Sequence, residues 1–169
     1  VEETRIVGSF GELEISVEDY GEISGIDRIV GGSETEKFSK KYIVGILRYR
    51  AADSVNLLCG GILVAPDVVL TAAHCLERGD AAAFLYFGRH NLRDSSTGQR
   101  KISTLRVWLS SYTGDPTKGN DFGFVLLPSA VDMTNLELAT LNRDPTVPTI
   151  GAFLEIYGWG TTESGEVNL

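Results

Sequence analysis

The run Cys59-Gly60-Gly61-Ile62-Leu63-Val64-Ala65-Pro66-Asp67-Val68-Val69-Leu70-Thr71-Ala72-Ala73-His74-Cys75 reads as two apolar segments, rich in β-branched residues, separated by a turn. Ala65-Pro66-Asp67 supplies the turn, because proline presets φ and aspartate bonds to nearby main-chain N–H groups. Leu57 to Val64 is expected to be one strand and Val68 to Thr71 the next, folded back antiparallel. Ala72 to Leu76 then reads as a short helical turn. Such a hairpin could bring the Cys59 and Cys75 sulfurs together. Two buried free thiols fit two cysteines equally well. A bridge closing a loop of this length would stabilise by about 3 kcal/mol and imply an oxidising compartment.

Outward from this hairpin, strand-like segments recur at short intervals: Tyr42 to Tyr49, Ala82 to Phe87, Lys101 to Leu109, Phe122 to Leu127 and Phe153 to Trp159. Asp94-Ser95-Ser96-Thr97-Gly98 and Thr113-Gly114-Asp115-Pro116 punctuate them as loops. Many short strands without long helical periods predict an all-β fold, a sandwich or barrel of antiparallel strands. The chain has 169 residues, 43% hydrophobic, enough to bury a core in one domain. No stretch approaches the roughly 18 consecutive apolar residues of a spanning helix, so no membrane role is expected. A net charge of −8 disfavours nucleic acid as a partner, because phosphate binding takes clustered Lys and Arg.

That charge is unevenly placed. Residues 1–28 hold eight acids and two bases, a net of −6, leaving −2 for the other 141 residues. This segment lacks Cys, Trp and Pro and its apolar residues are thinly spread, so it reads as a solvated or loosely docked leader. Arg5-Ile6-Val7-Gly8 echoes Arg28-Ile29-Val30-Gly31, and an echo so short is read as coincidence.

Arg28-Ile29-Val30-Gly31-Gly32, Cys59-Gly60-Gly61, Leu70-Thr71-Ala72-Ala73-His74-Cys75, Phe87-Gly88-Arg89-His90-Asn91-Leu92, Asn120-Asp121-Phe122 and Gly158-Trp159-Gly160 resemble, in order and spacing, the trypsin-like (chymotrypsin-fold) serine endopeptidases. The resemblance implies an antiparallel Greek-key β-barrel, the first of two, with Phe153 to Trp159 as the first strand of the second. It divides the chain into a propeptide-like segment, 1–28, and an incomplete peptidase domain, 29–169. It also implies a Cys59–Cys75 disulfide, and activation by a protease that cleaves after Arg28 to free the Ile29 amino group. The absent signal peptide notwithstanding, a secreted protein is expected.

The chemistry asks for these residue types. A serine hydroxyl is a weak nucleophile at neutral pH, so an imidazole must take its proton and later give it to the leaving amine. His74 matches that general base. A carboxylate on the other ring nitrogen fixes the tautomer and stabilises the imidazolium, and Asp121 matches that role. Taken singly, His74 would read as a core histidine and Asp121 as a turn carboxylate paired with Asn120 or Lys118; their motifs reverse both readings. His90 matches a loop position outside the catalytic set. A zinc site from Cys59, His74, Cys75 and His90 lacks paired Cys-x-x-Cys spacing, and a His74–Cys75 dyad would join side chains that diverge. No cofactor or metal is implied.

Departures from the family pattern are equally informative. The block Gly-Asp-Ser-Gly-Gly-Pro, in which the family carries its nucleophile, does not occur, and Ser164, among polar neighbours, is expected in a loop just after Gly158-Trp159-Gly160. This chain alone is therefore expected to be inactive. Arg89 stands where calcium-binding trypsins carry a loop carboxylate, with Gln99 and Arg100 near it, so no calcium site is expected. The expected function is a serine-type endopeptidase acting on a polypeptide substrate or meeting a protein inhibitor. The alternatives are a secreted pseudo-protease that binds or inhibits and, from a third class, a scaffold barrel.

Overall fold

The computed structural model describes residues 34–48, 57–77, 83–92 and 94–159, together with the strand Thr4–Val7. Eight strands form: β1 Thr4–Val7, β2 Ile43–Arg48, β3 Leu57–Ala65, β4 Val68–Thr71, β5 Ala83–Phe87, β6 Gln99–Ser103, β7 Arg106–Leu109 and β8 Gly123–Leu126. Two three-residue 3-10 turns, Ala73–Cys75 and Pro116–Lys118, are the only helical segments among the described residues. The hairpin takes its expected form, with Pro66 and Asp67 turning β3 into β4. Ile62 lies opposite Leu70 and Leu63 opposite Val69, and a bulge precedes the Ala65–Val68 pair.

All pairings are antiparallel, in the order β1-β7-β8-β4-β3-β2-β5-β6. Only Thr104 and Leu105 separate β6 from β7, so the strand that pairs with β5 continues into the one that pairs with β8. The sheet thereby curls back on itself. Two bonds hold the crossing: Leu126 N–H donates to Leu105 O at 3.0 Å, and Ser103 Oγ donates to Leu126 O at 2.5 Å. Curling leaves few open edges, which is how barrels avoid unwanted strand addition.

Inside lies a core of Val44, Ile46, Leu63, Val69, Leu85, Phe87 and Val125, all close to fully buried. Every residue of β5 is buried, because its two faces serve two clusters. Ala83, Leu85 and Phe87 join the core, while Phe84 and Tyr86 join Leu47 and Leu92, with Ile102 and Trp159 packed against them. The first cluster buries eleven Val, Ile, Leu and Phe side chains, each worth about 1.5–3 kcal/mol of transfer free energy before entropy is counted.

The structure differs from the sequence reading in three places. Lys101 to Leu109, expected as one strand, is broken at Thr104-Leu105, where the chain exchanges partners. Phe153 to Trp159, expected as the first strand of a second barrel, has no sheet pairing; Phe153 is fully exposed and Leu154 and Ile156 largely so. Its composition suits a strand, but a strand exists only with a partner for its main-chain groups. The leader, expected to be solvated or loosely docked, contributes β1, which pairs Thr4 to Val7 with Leu109 to Arg106. Ladder bonds use the backbone and need no apolar composition. Arg28 and Ile29 lie outside the described residues.

Candidate active site

The pairing of β4 with β8 determines which side chains meet at one end of the sheet. Thr71, the last residue of β4, lies opposite Gly123, the first of β8. His74 is three residues beyond Thr71 and Asp121 two residues before Gly123, so antiparallel pairing brings the two together across 47 residues of sequence. Thr71 is itself buried, its Oγ1 donating to Gly60 O at 2.7 Å and tying β4 to β3. Ala72 stays extended and the chain then tightens into the 3-10 turn Ala73–Cys75, with Leu76 N–H donating to Ala73 O. Ala73, Cys75 and Leu76 are buried, which leaves His74 as the residue of this turn that reaches solvent.

Two further ties fix the turn. Cys75 is bonded to Cys59 of β3, with an S–S length of 1.99 Å and Cα atoms 6.3 Å apart. Arg106, buried in β7, donates from Nη1 to Leu76 O at 3.0 Å. A charged residue within the apolar stretch 102–109 is the one sequence signal that could have pointed to this support.

Asp121 accepts twice from the same residue: His74 main-chain N–H donates to Oδ1 at 2.8 Å, and Nδ1 lies 2.7 Å from Oδ2. The carboxylate does not pair with Asn120 or Lys118. Asn120 instead takes the left-handed conformation, φ +57°, which asparagine tolerates better than most residues, and so turns the chain into β8. The Asp121 side chain is 19% exposed and the His74 side chain 44%. Burial works to raise the Asp121 carboxyl. The His74 ring and main-chain N–H groups, the His74 charge and the Ala73 main-chain N–H outweigh it and hold the carboxyl below its ordinary range.

With Oδ2 accepting from Nδ1–H, the imidazole keeps its lone pair on Nε2, which is 3.5 Å from Cys75 Sγ. An imidazole so held can accept a proton at Nε2 and return it, with Asp121 stabilising the charged intermediate.

Donor atoms of Cys59, His74 and Cys75 lie within 4.8 Å of one another. Both sulfurs are spent on each other, so no thiolate is on offer to zinc. His90, the fourth residue of the zinc reading, pairs elsewhere, its Nε2 being 2.7 Å from Glu34 Oε1. No local signal in the sequence links those two positions, 56 residues apart. The loop around Arg89 does not fit calcium either. Its guanidinium donates from Nε to Thr97 O at 3.1 Å and from Nη1 to Leu92 O at 2.8 Å, and lies over the Tyr86 ring at 4.8 Å. The loop thus already holds a fixed cation, whereas calcium takes six to eight oxygen ligands.

The sequence profile of the family described as Trypsin matches residues 29–169. Among individual proteins, the chain is 32% identical to human (Homo sapiens) Kallikrein-2 over 152 residues, covering 82% of this chain and 54% of that one. It is 35% identical over 119 residues to a "Snake venom serine protease" of Crotalus durissus durissus, covering 68% and 44%. A solved structure described as "Structure of GrC" superposes with a TM-score of 0.64 at 26% identity, covering 82% of this chain and 60% of the other. The chain spans about half the length of the curated relatives it matches.

Proposed function

The chain belongs to the trypsin family of serine proteases, and from that premise we propose that residues 29–169 supply the acid–base half of a serine endopeptidase, His74 as general base and Asp121 as the carboxylate that orients it. The observation that carries this reading is the double acceptance by Asp121 from the ring and main chain of His74. One bond sets the tautomer, the other sets where the ring can stand.

In the proposed reaction Nε2 takes the proton of a serine hydroxyl as its oxygen attacks the carbonyl carbon of a polypeptide substrate. The imidazolium that results, charged beside Asp121, then delivers that proton to the leaving amine. Water repeats the sequence on the acyl-enzyme. The serine is supplied by the family's Gly-Asp-Ser-Gly-Gly-Pro block, which these 169 residues do not contain, so catalysis needs more of the protein than this chain. Residues 1–28 act as a propeptide, removed when an activating protease cuts after Arg28; the family match beginning at Ile29 supports that boundary. The Cys59–Cys75 disulfide supports a secreted protein, since such bridges persist in oxidising compartments. Polypeptide substrates and protein inhibitors are the partners this reading implies.

The test is to sequence the 3′ end of the transcript, express the whole reading frame and treat the product with trypsin. The expected result is a frame that runs past Leu169 through Gly-Asp-Ser-Gly-Gly, a product beginning at Ile29, and peptide-amide hydrolysis that His74→Ala lowers by roughly 10⁶-fold. A frame that stops at Leu169 would end the catalytic reading in favour of a binding or inhibitory pseudo-protease.

A further inference from the structure

His90 lies outside both the acid–base pair and the two apolar clusters, yet three separate stretches of chain meet on it. It stands in the loop joining β5 to β6, between Gly88 and Gly98, both with positive φ. A Cβ at Gly98 would fall 2.1 Å from Phe87 O, so only glycine lets the two arms of this loop approach so closely. Arg89 and Leu92 turn inward, Leu92 into the second cluster and Arg89 across the loop onto Leu92 O and Thr97 O.

His90 reaches the segment that follows Ile29. Its Nε2 is 2.7 Å from Glu34 Oε1, and its ring meets that of Phe38 edge-on at 6.3 Å and 62°. Phe38 sits at φ +61°, a conformation a bulky residue keeps only where its surroundings hold it. On its other side, His90 O accepts from Trp159 Nε1–H at 2.8 Å. The same two outer stretches touch once more, through Lys40 Nζ over the Tyr157 ring at 4.4 Å. The Glu34 carboxyl is held below its ordinary range, first by its hydrogen bond from His90 and then by the His90 charge, with Lys37 adding to it.

We propose that His90 is a positioning residue for activation: by clamping Glu34 and Phe38 to the β5–β6 loop, it fixes the point from which a new Ile29 amino terminus can swing. This rests on the reading of Arg28-Ile29 as the activation site. Ile29 precedes Glu34 by five residues, so the freed amino group can travel no more than roughly 17 Å from the clamp. Without the clamp, the tether lengthens toward β2 and the amino group samples a far larger volume.

Hydrogen exchange on the intact 169-residue chain tests this. The reporters are Ser39 N–H, which donates to Glu36 O, and Ile43 N–H, which donates to Lys40 O. His90→Ala and Glu34→Ala are each expected to speed exchange in a peptide spanning 34–43 by about threefold or more, with β4 and β8 unchanged. His90→Gln, which keeps a side-chain N–H donor, restores the slower rate. Unchanged exchange in His90→Ala, equal acceleration throughout the barrel, or failure of His90→Gln to rescue would each overturn the clamp. Amino-terminal sequencing after brief trypsin treatment separates this from the activation reading. A first cut elsewhere than after Arg28 overturns the role in activation even if the exchange result holds, and a failed clamp leaves cleavage after Arg28 standing.

Discussion

Replacing Asp121 with asparagine keeps the shape of the side chain and removes the one property on which the site depends, two equivalent acceptors. In the native pair, Oδ1 takes the His74 main-chain N–H at 2.8 Å and Oδ2 faces Nδ1 at 2.7 Å. Asparagine offers one oxygen and one NH₂. If the oxygen stays with the main chain, the amide donates to Nδ1 and the proton moves to Nε2, which extinguishes the lone pair that a base requires. If the amide flips, the ring keeps its tautomer and the main-chain N–H loses its acceptor at a site only 19% exposed on the Asp121 side. Either way a charge-assisted bond becomes a neutral one, and the expected destabilisation is about 1–2 kcal/mol, toward the lower end because the His74 side chain is 44% exposed. With a urea dependence of about 1–3 kcal/mol per molar, the unfolding midpoint should fall by roughly 0.5–1 M. Trp108 and Trp159 fluorescence reports the midpoint, and long-range ¹H–¹⁵N NMR reports the tautomer. An unchanged midpoint together with an imidazole still protonated at Nδ1 would refute the reasoning.

Three other outcomes follow from the same structure. Because Asp121 is held below the ordinary 3.8, its contribution is complete above that pH and is lost as pH falls through its lower native value; the stability gap between the native chain and Asp121→Asn should therefore close as urea midpoints are taken from pH 6 to pH 2. Alkylating the unfolded, unreduced chain should label neither Cys59 nor Cys75, and reduction should expose both at a cost of about 3 kcal/mol for the 16-residue separation; labelling before reduction would contradict the bridge. Gly61→Ala would set a Cβ 2.8 Å from Val69 Cγ1, 2.9 Å from Ile46 Cδ1 and 3.1 Å from Leu70 O. We expect it to cost roughly 1–3 kcal/mol in urea unfolding, whereas Gly60→Ala, with nothing within 4 Å, should be tolerated.

How much the sequence revealed depended on whether the deciding interaction was local. The β3–β4 hairpin was legible because its apolar runs and Pro66-Asp67 turn specify it within a few residues, and β4 spans the residues expected. That His74 and Asp121 would meet was legible through their motifs; the register that joins them, Thr71 opposite Gly123, was not. Nothing in Lys101 to Leu109 signals the break, because it is set by partners: Leu105 N–H donates to Ser103 Oγ while Ser103 Oγ donates to Leu126 O. The strand pattern at Phe153 to Trp159 misled for the complementary reason, since β-propensity describes a fit to neighbours and here none is paired. Thr4–Val7 was hidden in an acidic leader because edge pairing leaves no mark on composition.

The distance along the chain between His74 and Asp121 also sets a timetable for biosynthesis. Cys59 precedes Cys75 by 16 residues, but Asp121 follows His74 by 47. At about 5–20 residues per second, both sulfurs leave the ribosome roughly 2–9 s before the carboxylate does. The bridge beside His74 can thus be sealed while the imidazole still has no acceptor. Oxidation can come first, and the His74–Asp121 pair is then assembled by whatever brings β8 home.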